Sequence, residues 1–352
     1  MCRALVPLTV IAALLALASP ALANDGIYGG SGSLPMPLTS TEVAMIEEHV
    51  VLRWDAKHRA WNVTCDFVFE NTSAEPVSLT IGFPFPVVDP DAGDTSAPDG
   101  QPQPEAGRPL VWKFRTQVDG RAVRAREART ITNPALPDVS YDFAYLWDMT
   151  FPPGRRVKVR NSYQHGISAV ADGTQWAAYA LKTGTLWKGG RIGRSRIEVI
   201  TQGPRLAVCP AEMGGLQTQI LPAGATVRTT AREIEVAWDL TDFEPRDDLS
   251  VCFVDLDAVA QMSFWELEQA DLSTMSREEL RLLRNRIYAA RGYVFRDADL
   301  AAHFAKQWWY RPDPKFKARK LQPEERALVA RIKAAEKALQ SAPRAGRPGA
   351  KP

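Results

Sequence analysis

The sequence contains few of the residue types from which metal and nucleophilic sites are built. Only four of its 352 residues are histidine and four are cysteine. No histidine has a second His or a Cys at ligand spacing, and Gly-x-Ser-x-Gly, His-Glu-x-x-His, Cys-x-x-Cys, a phosphate-cradling glycine loop and a dinucleotide fingerprint are all missing. The sequence therefore predicts a protein that is not an enzyme and needs no cofactor or metal.

The chain also lacks an apolar run of about 20 residues, the length that a membrane-spanning helix needs. Its first residues are shorter and differently built, with a positive Met1-Cys2-Arg3, an apolar stretch from Ala4 to Ala18 and a small-x-small Ala21-Leu22-Ala23. This pattern is typical of a cleavable signal peptide over residues 1–23, cut after Ala23. We therefore expect a periplasmic or secreted protein that does not span the membrane after cleavage.

Three cysteines remain after cleavage, so they cannot all pair within one chain. Cys209 and Cys252 lie in short strand-like runs, whereas Cys65 alternates with aromatic and apolar residues. An oxidising compartment permits disulfides. The sequence favours a Cys209–Cys252 bridge with Cys65 as a buried free thiol, and three buried reduced cysteines remain the alternative.

The formal net charge of +2 is unevenly distributed. The segment from Phe264 to the end has 19 Lys and Arg against 11 Asp and Glu, while Asn24–Ser263 has seven more acidic than basic residues. The opposite net charges of these two parts can help them dock on each other, or can help the protein stay soluble. Export argues against nucleic acid as the partner of the basic end.

Period-two alternation dominates from about Thr41 to Asp257. Trp61, Val63, Cys65, Phe67 and Phe69 fall on one face of a predicted strand, which is a core face. Asp119-Gly120 lies between two further strands and predicts a type I′ hairpin turn. About ten short strands predict an all-β, two-sheet antiparallel sandwich over residues 24–258.

The stretch from Val88 to Arg108 is rich in Pro, Gly and Asp and is predicted to be an exposed loop. Asp89, Asp91 and Asp94 in this stretch are close enough to suggest a calcium site. They do not match a calcium-binding EF-hand loop, which needs an acidic or polar ligand at position 5 and Glu at position 12, because glycines stand there. The pattern favours a solvated acidic loop.

A helical pattern follows over residues 264–340. Ser276 and Glu279 form a predicted capping box, so a helix is expected from Arg277, and Gly292 is placed to end it. Asp297 is expected to cap a second helix and Pro323 to begin a third. The sequence thus predicts a small all-α domain, followed by a disordered tail over residues 341–352.

This helical part resembles the YARHG domain over roughly Leu272 to Leu339. The matching residues are Leu283-Arg-Asn-Arg-Ile-Tyr-Ala-Ala-Arg-Gly-Tyr-Val-Phe295 and Phe304-Ala-Lys-Gln-Trp-Trp-Tyr-Arg-Pro312. The signature departs from the family, since Arg291 stands where the family has histidine. The resemblance implies an exported bacterial protein that acts at the cell envelope, with no assigned chemistry.

The β-rich part is similar to an uncharacterised bacterial exported family. The similar segments are Asn24-Asp-Gly26, Phe69-Glu-Asn-Thr-Ser73, Gly82-Phe-Pro-Phe-Pro86 and Val157-Lys-Val-Arg-Asn-Ser-Tyr163. No activity is implied by this resemblance.

The segment Trp308-Trp309-Tyr310-Arg311 is the most suggestive cluster for binding, because aromatic rings beside a cation can stack on sugars. Trp308 shares a stripe with Leu300 and Phe304 and is expected in a small core, which leaves Trp309 as the exposed candidate. Arg284 and Arg291 lie seven residues apart on one helix face, where they either bind an anionic group or solvate that face. The predicted contact residues are Trp309, Arg284, Arg291 and Arg311.

These observations lead to three functional hypotheses. The first is a non-catalytic exported protein that binds a cell-envelope polymer or an envelope protein. The second is a structural or interaction protein whose helical part docks on its own sandwich. The third is a hydrolase of a type that sequence motifs do not reveal.

Overall fold

The protein is described by a computed structural model that covers residues 30–33, 36–37, 41–85, 87, 95–105, 107–132, 140–168, 174–202, 205–213, 216–230 and 233–341. The predicted signal peptide and Asp89, Asp91 and Asp94 lie outside these residues. The predicted tail lies outside them from residue 342 onward, and Ser341 is the last residue of a helix.

Strands occupy most of the chain up to Asp255, and helices follow, which confirms the predicted order of a large β-rich part and a small helical part. The strands are β1 (Gly30–Ser33), β2 (Met36–Pro37), β3 (Val43–Asp55), β4 (Ala60–Asn71), β5 (Val77–Phe85), β6 (Thr95–Ser96), β7 (Val111–Val118), β8 (Arg121–Val123), β9 (Arg126–Thr132), β10 (Ser140–Phe151), β11 (Arg156–His165), β12 (Ile167–Ser168), β13 (Thr174–Ala180), β14 (Ile192–Gln202), β15 (Leu206–Val208), β16 (Glu212–Met213), β17 (Leu216–Gln217), β18 (Thr226–Thr229), β19 (Glu233–Phe243) and β20 (Leu249–Asp255).

The described strands form one large sheet and several smaller ones. The large sheet has eight strands in the order β18-β19-β14-β3-β4-β11-β7-β8. Two four-stranded sheets have the orders β1-β13-β20-β15 and β2-β5-β10-β9, and β6 with β12 and β16 with β17 form two-stranded pairs. Most neighbours are antiparallel, as predicted, but β14 runs parallel to β3 and β1 runs parallel to β13. The alternation of apolar and polar residues does not predict such pairings, because it indicates which face of a strand is buried and not which strand lies beside it.

The core lies between the inner faces of these sheets. The alternating residues of β4 are buried as expected, with Trp61, Val63, Cys65, Phe67 and Phe69 at most 1% exposed. The hairpin between β7 and β8 is also as predicted, because Asp119 and Gly120 both have positive φ, at 48° and 77°. A type I′ turn requires positive φ at both central positions.

One carboxyl group lies inside this core. Glu48 on β3 is 1% exposed, and its Oε1 accepts a hydrogen bond from the hydroxyl of Ser195, its register partner on β14. Its Oε2 has no hydrogen-bond partner among the described residues. Burial raises the pKa of Glu48 to about 7, and the Ser195 hydrogen bond opposes this rise.

The helical part begins earlier than the sequence pattern indicates. The helices are α1 (Leu256–Gln269), α2 (Arg277–Ala290), α3 (Ala298–Ala305) and α4 (Pro323–Ser341). Short 3-10 helices lie at Leu272–Thr274 and Ala318–Lys320 in this part, and at Lys182–Leu186 and Lys188–Gly190 in the β-rich part. The sequence pattern assigns the helical part to residues 264–340 and names no individual helix before Arg277, yet α1 follows β20 directly, with Asp255 as its N-cap. Val254-Asp-Leu-Asp257 continues the apolar–polar alternation of β20 into the first residues of α1 and hides the boundary. Among the described residues, no helix is long and apolar enough to span a bilayer.

Cys209 and Cys252 are joined by a disulfide, and Cys65 is a buried free thiol. The disulfide lies in a small apolar cluster with Trp176, Ala207, Val254 and Leu256. Val259 of α1 and Trp309 of the helical part pack against the same cluster. The β-rich part and the helical part therefore share a packed contact.

Candidate binding groove of the helical part

Helix α2 is the central helix of the helical part. Residues at its two boundaries satisfy the free backbone groups at its ends. Ser276 and Glu279 form the capping box, in which Ser276 N–H donates to Glu279 Oε2 at 2.7 Å and Glu279 N–H donates to Ser276 Oγ at 3.3 Å. At the other end, Tyr293 N–H donates to the Tyr288 carbonyl at 3.0 Å and Gly292 N–H to the Ala289 carbonyl at 2.8 Å. These two bonds make a Schellman motif, which satisfies the last carbonyls of the helix.

Gly292 is needed at this helix end for two reasons. Its φ is +83°, a conformation that side chains rarely adopt. A Cβ atom there would also lie 2.7 Å from the Arg311 carbonyl oxygen and 3.0 Å from Asp313 Cβ. Gly292, the glycine of the family signature, therefore has the structural role of ending the helix, as the sequence predicts.

Arg291, at the histidine position of the family, is held by two acidic residues. Its Nε donates to Glu325 Oε1 at 2.6 Å and its Nη1 to Asp257 Oδ1 at 2.5 Å. Its guanidinium also lies over the ring of Phe264, 5.9 Å from the centroid. Arg291 thus ties α1, α2 and α4 together.

The other two predicted arginines also have partners within the chain. Arg284 pairs with Glu336 of α4 at 3.2 Å. Arg311 donates to the carbonyls of Trp308 at 2.8 Å and Tyr310 at 3.1 Å. Partial burial, with the nearby Arg205 guanidinium, lowers the pKa of Arg311. The structure does not bring Arg284, Arg291 and Arg311 together at one open site.

The two tryptophans have the opposite exposure to that expected. Trp308 is 36% exposed, because α3 ends at Ala305 and the predicted stripe does not continue to residue 308. Trp309 is half-buried and packs against three apolar clusters, one of which contains the disulfide. The assignment of Trp308 to the core was therefore wrong, and Trp309 is the more buried of the pair.

Trp309 forms one wall of an open groove of about 430 Å³ between α2 and α3. The remaining apolar walls are Met275, Leu282, Leu283 and Phe304. Four polar side chains also line the groove: Glu279, Arg286, His303 and Gln307. Pockets of a few hundred Å³ with apolar walls and few polar groups are typical of small-ligand sites.

Arg286 is the cation of this groove. Its Nη2 donates to Ser263 Oγ at 2.8 Å, and its guanidinium lies over the Trp309 ring, 5.8 Å from the centroid. Within the described part of the chain, no carboxylate lies within 4.0 Å of it. A guanidinium has five N–H donors. Arg286 can therefore offer donors to an anionic group that enters the groove.

Arg286 is not among the contact residues predicted from the sequence, although the helical spacing of its neighbours indicates its position. Glu279, Leu282, Leu283 and Arg286 stand at positions i, i+3, i+4 and i+7, which is one face of a helix. This face borders the stripe of Leu280, Leu283 and Ile287 that the sequence assigns to the core. Only the packing of α3 against α2 shows that the bordering face lines a groove.

Two family models match the chain. The YARHG domain matches residues 258–337, and a domain of unknown function, DUF4424, matches residues 23–133. No curated protein is significantly similar in sequence to this chain.

The chain is also similar to solved structures. The crystal structure of a candidate nutrient-binding protein from Legionella pneumophila is 31% identical, with a TM-score of 0.68, and the match covers 86% of this chain and 97% of that chain. An M1 zinc metallopeptidase from Deinococcus radiodurans is 9% identical with a TM-score of 0.30, over 62% of this chain and 43% of that chain. That second likeness is too low to support an argument.

Proposed function

Since the chain belongs to the same family as the Legionella pneumophila protein, and carries a YARHG domain after a DUF4424 domain, we propose that it is a non-catalytic binding protein of the bacterial cell envelope. The observation that carries the proposal is the groove between α2 and α3, where the Arg286 guanidinium lies beside apolar walls and has no acidic partner among the described residues. Such a site holds a ligand by shape and one charged contact.

The groove indicates the chemistry of its ligand. Trp309, Phe304 and the leucines favour an apolar or ring-shaped body, while Arg286 favours a carboxylate or phosphate at one end. Bacterial envelope polymers carry both features. The description of the Legionella protein as a candidate nutrient-binding protein also supports a binding role. The predicted signal peptide supports export to the compartment where such a ligand is found.

Co-sedimentation of the full chain with purified peptidoglycan and with outer-membrane material tests this function. We expect Arg286→Gln to weaken binding by about 30-fold, because a charge-assisted hydrogen bond contributes about 2 kcal/mol. Arg277→Gln is the matched control, since Arg277 is exposed on the same helix and does not line the groove. Thermal unfolding of each variant reports whether the fold is retained.

Two results would count against envelope binding through this groove. One is a wild-type protein that is no more enriched on either material than a charge-matched control protein. The other is equal loss of binding in Arg286→Gln and Arg277→Gln, which would indicate a general charge effect.

A second candidate function is an interaction protein whose helical part is docked on its own β-rich part. The contact of Trp309 with the disulfide cluster favours it, as does the hydrogen bond from Arg205 to the Ala290 carbonyl. Arg205 also pairs with Asp257 at 3.2 Å. Cross-links between the basic helices and the acidic β-rich part of a monomer, together with no envelope binding, would favour this candidate.

A further inference from the structure

The segment Arg108–Arg129 has a charge opposite to that of the part that contains it. It carries seven Lys and Arg against two Asp and Glu, whereas Asn24–Ser263 as a whole has 23 basic and 30 acidic residues. The segment forms β7, β8 and the start of β9. β7 and β8 are the last two strands of the eight-stranded sheet, and β9, which follows β8 in the chain, is the last strand of a four-stranded sheet, so the charges lie at the margins of two sheets.

Elsewhere on the β-rich part, arginines are commonly neutralised by an acid on the neighbouring strand. Arg156 pairs with Glu70 at 2.9 Å, Arg160 with Asp66 at 2.6 Å and Arg194 with Asp239 at 2.8 Å. Each of these cross-strand pairs offsets the charge of its arginine on the large sheet. Opposite charges across a strand pair are favourable, and like charges are not.

Five cations of the segment have no such partner. They are exposed, and none has a carboxylate within 4.0 Å or a side-chain hydrogen bond among the described residues. We name them the basic edge: Lys113, Arg115, Arg121, Arg124 and Arg129.

The strand register brings like charges together in the basic edge. The last register pair of β7 with β8 is Thr116 opposite Val123, and the exposed Arg115 and Arg124 directly flank this pair. Arg121 lies opposite Val118 at the hairpin end. Like charges close together repel each other, and among the described residues no acidic side chain offsets this repulsion. An external anion would offset it.

A shallow concavity adjoins the basic edge. It has a volume of about 740 Å³ and is lined by residues that include Arg124, Arg126, Trp147 and Asp148. Arg126 is paired with Asp148 at 3.0 Å, whereas Arg124 is unpaired there. The cations extend along both sheet edges and do not converge on this concavity, so the basic edge fits an extended surface of repeated anions better than one small ion.

We propose that the basic edge is a docking surface for a membrane that contains anionic phospholipids. A bilayer presents many phosphate groups over a wide area, which matches unpaired cations spread over two strand edges. Each Lys or Arg near such a surface strengthens binding by about fivefold, and the attraction weakens as salt rises. This surface is separate from the groove between α2 and α3, so the proposal does not depend on the proposed function.

Vesicle co-sedimentation of the full chain tests the proposal. We expect binding to vesicles of phosphatidylcholine mixed with phosphatidylglycerol, none to vesicles of phosphatidylcholine alone, and loss of binding at high salt. The triple variant Arg115→Gln, Arg121→Gln, Arg124→Gln should bind at least tenfold more weakly. All three side chains are exposed and lie among like charges, so the variant should unfold at a temperature no lower than that of the wild type.

The matched control changes three other exposed cations of the β-rich part that have no ion pair among the described residues: Lys57→Gln, Arg59→Gln and Arg196→Gln. It carries the same net charge as the triple variant and should bind vesicles like the wild type. Equal loss in both triple variants, or binding of the wild type to both vesicle types, would overturn the proposal. So would soluble glycerol phosphate competing as well as vesicles of equal phosphate content. Arg286→Gln should leave vesicle binding unchanged, so that failure of this surface and failure of the groove are distinguishable.

Discussion

Glu48 is a carboxyl group in an otherwise largely apolar core, and it makes stability depend on pH. Its pKa is about 7 in the folded protein, because burial disfavours the charged form, against an ordinary value of 4.5. Between these pH values the folded chain keeps the proton and the unfolded chain loses it. The contribution of Glu48 to the free energy of unfolding therefore falls as pH rises from about 4.5 to about 7, by roughly 3 kcal/mol, and does not change further above that range.

We predict that Glu48→Gln stabilises the protein at pH 8 and has little effect near pH 4. The amide is uncharged at both values and can still accept a hydrogen bond from Ser195. Urea unfolding at the two pH values measures the difference. Glu47→Gln, an exposed neighbour on the same strand, should change the free energy of unfolding by less than about 0.5 kcal/mol at either pH. An equal stability gain for Glu48→Gln at both pH values would contradict the assigned pKa.

The candidate site could be predicted only in part at this scale. Position along α2 indicated Arg284 and Arg291 as surface cations, but their partners Glu336 and Glu325 lie on α4, far along the chain. Arg286, which lines the groove, looks no different from them in the sequence. The partners of a side chain depend on tertiary packing, so the local sequence pattern does not predict them.

At the scale of elements, the end of α2 is defined by Gly292. We predict that Gly292→Ala lowers the free energy of unfolding by more than 2 kcal/mol, because it adds the strain of positive φ to a contact of 2.7 Å with the Arg311 carbonyl oxygen. Chemical unfolding of the full chain, followed by circular dichroism, measures this loss.

Gly120→Ala separates the two causes of that loss. Gly120 also has a positive φ, of +77°, but a Cβ there would meet nothing within 4 Å. We expect it to lose only about 1 kcal/mol, the cost of the backbone conformation alone. If both variants lose the same free energy of unfolding, the close contact of residues 311–313 with the end of α2 contributes nothing to the loss in Gly292→Ala.

The elements that the sequence predicted well are those with local causes. The capping box, the Gly292 helix end and the Asp119-Gly120 turn each involve residues that are close in the chain, and all three are present. Helix α1 was missed because Leu256 and Asp257 continue the apolar–polar alternation of β20. The parallel pairing of β14 with β3 was missed because it joins residues about 150 positions apart, such as Ile197 and Val50.

On the scale of the whole molecule, Trp309 connects the groove to the β-rich part. The same side chain lines the groove and packs against the cluster that holds the Cys209–Cys252 disulfide. Cys252 lies on β20, which leads directly into α1. A change at the disulfide should therefore affect the helical part before it affects the distant aromatic core around β4.

We predict that Cys209→Ala with Cys252→Ala lowers the free energy of unfolding by roughly 4 kcal/mol, because the bridge closes a segment with a sequence separation of 43 residues. Hydrogen exchange should show faster exchange in α1 and around Trp309, with β4 unchanged under native conditions. A reducing agent should bring the wild type to the stability of the variant and leave the variant unaffected, since Cys65 is unpaired in both. Lower stability with unchanged exchange around Trp309 would show that the disulfide stabilises the β-rich part without holding the helical part in place.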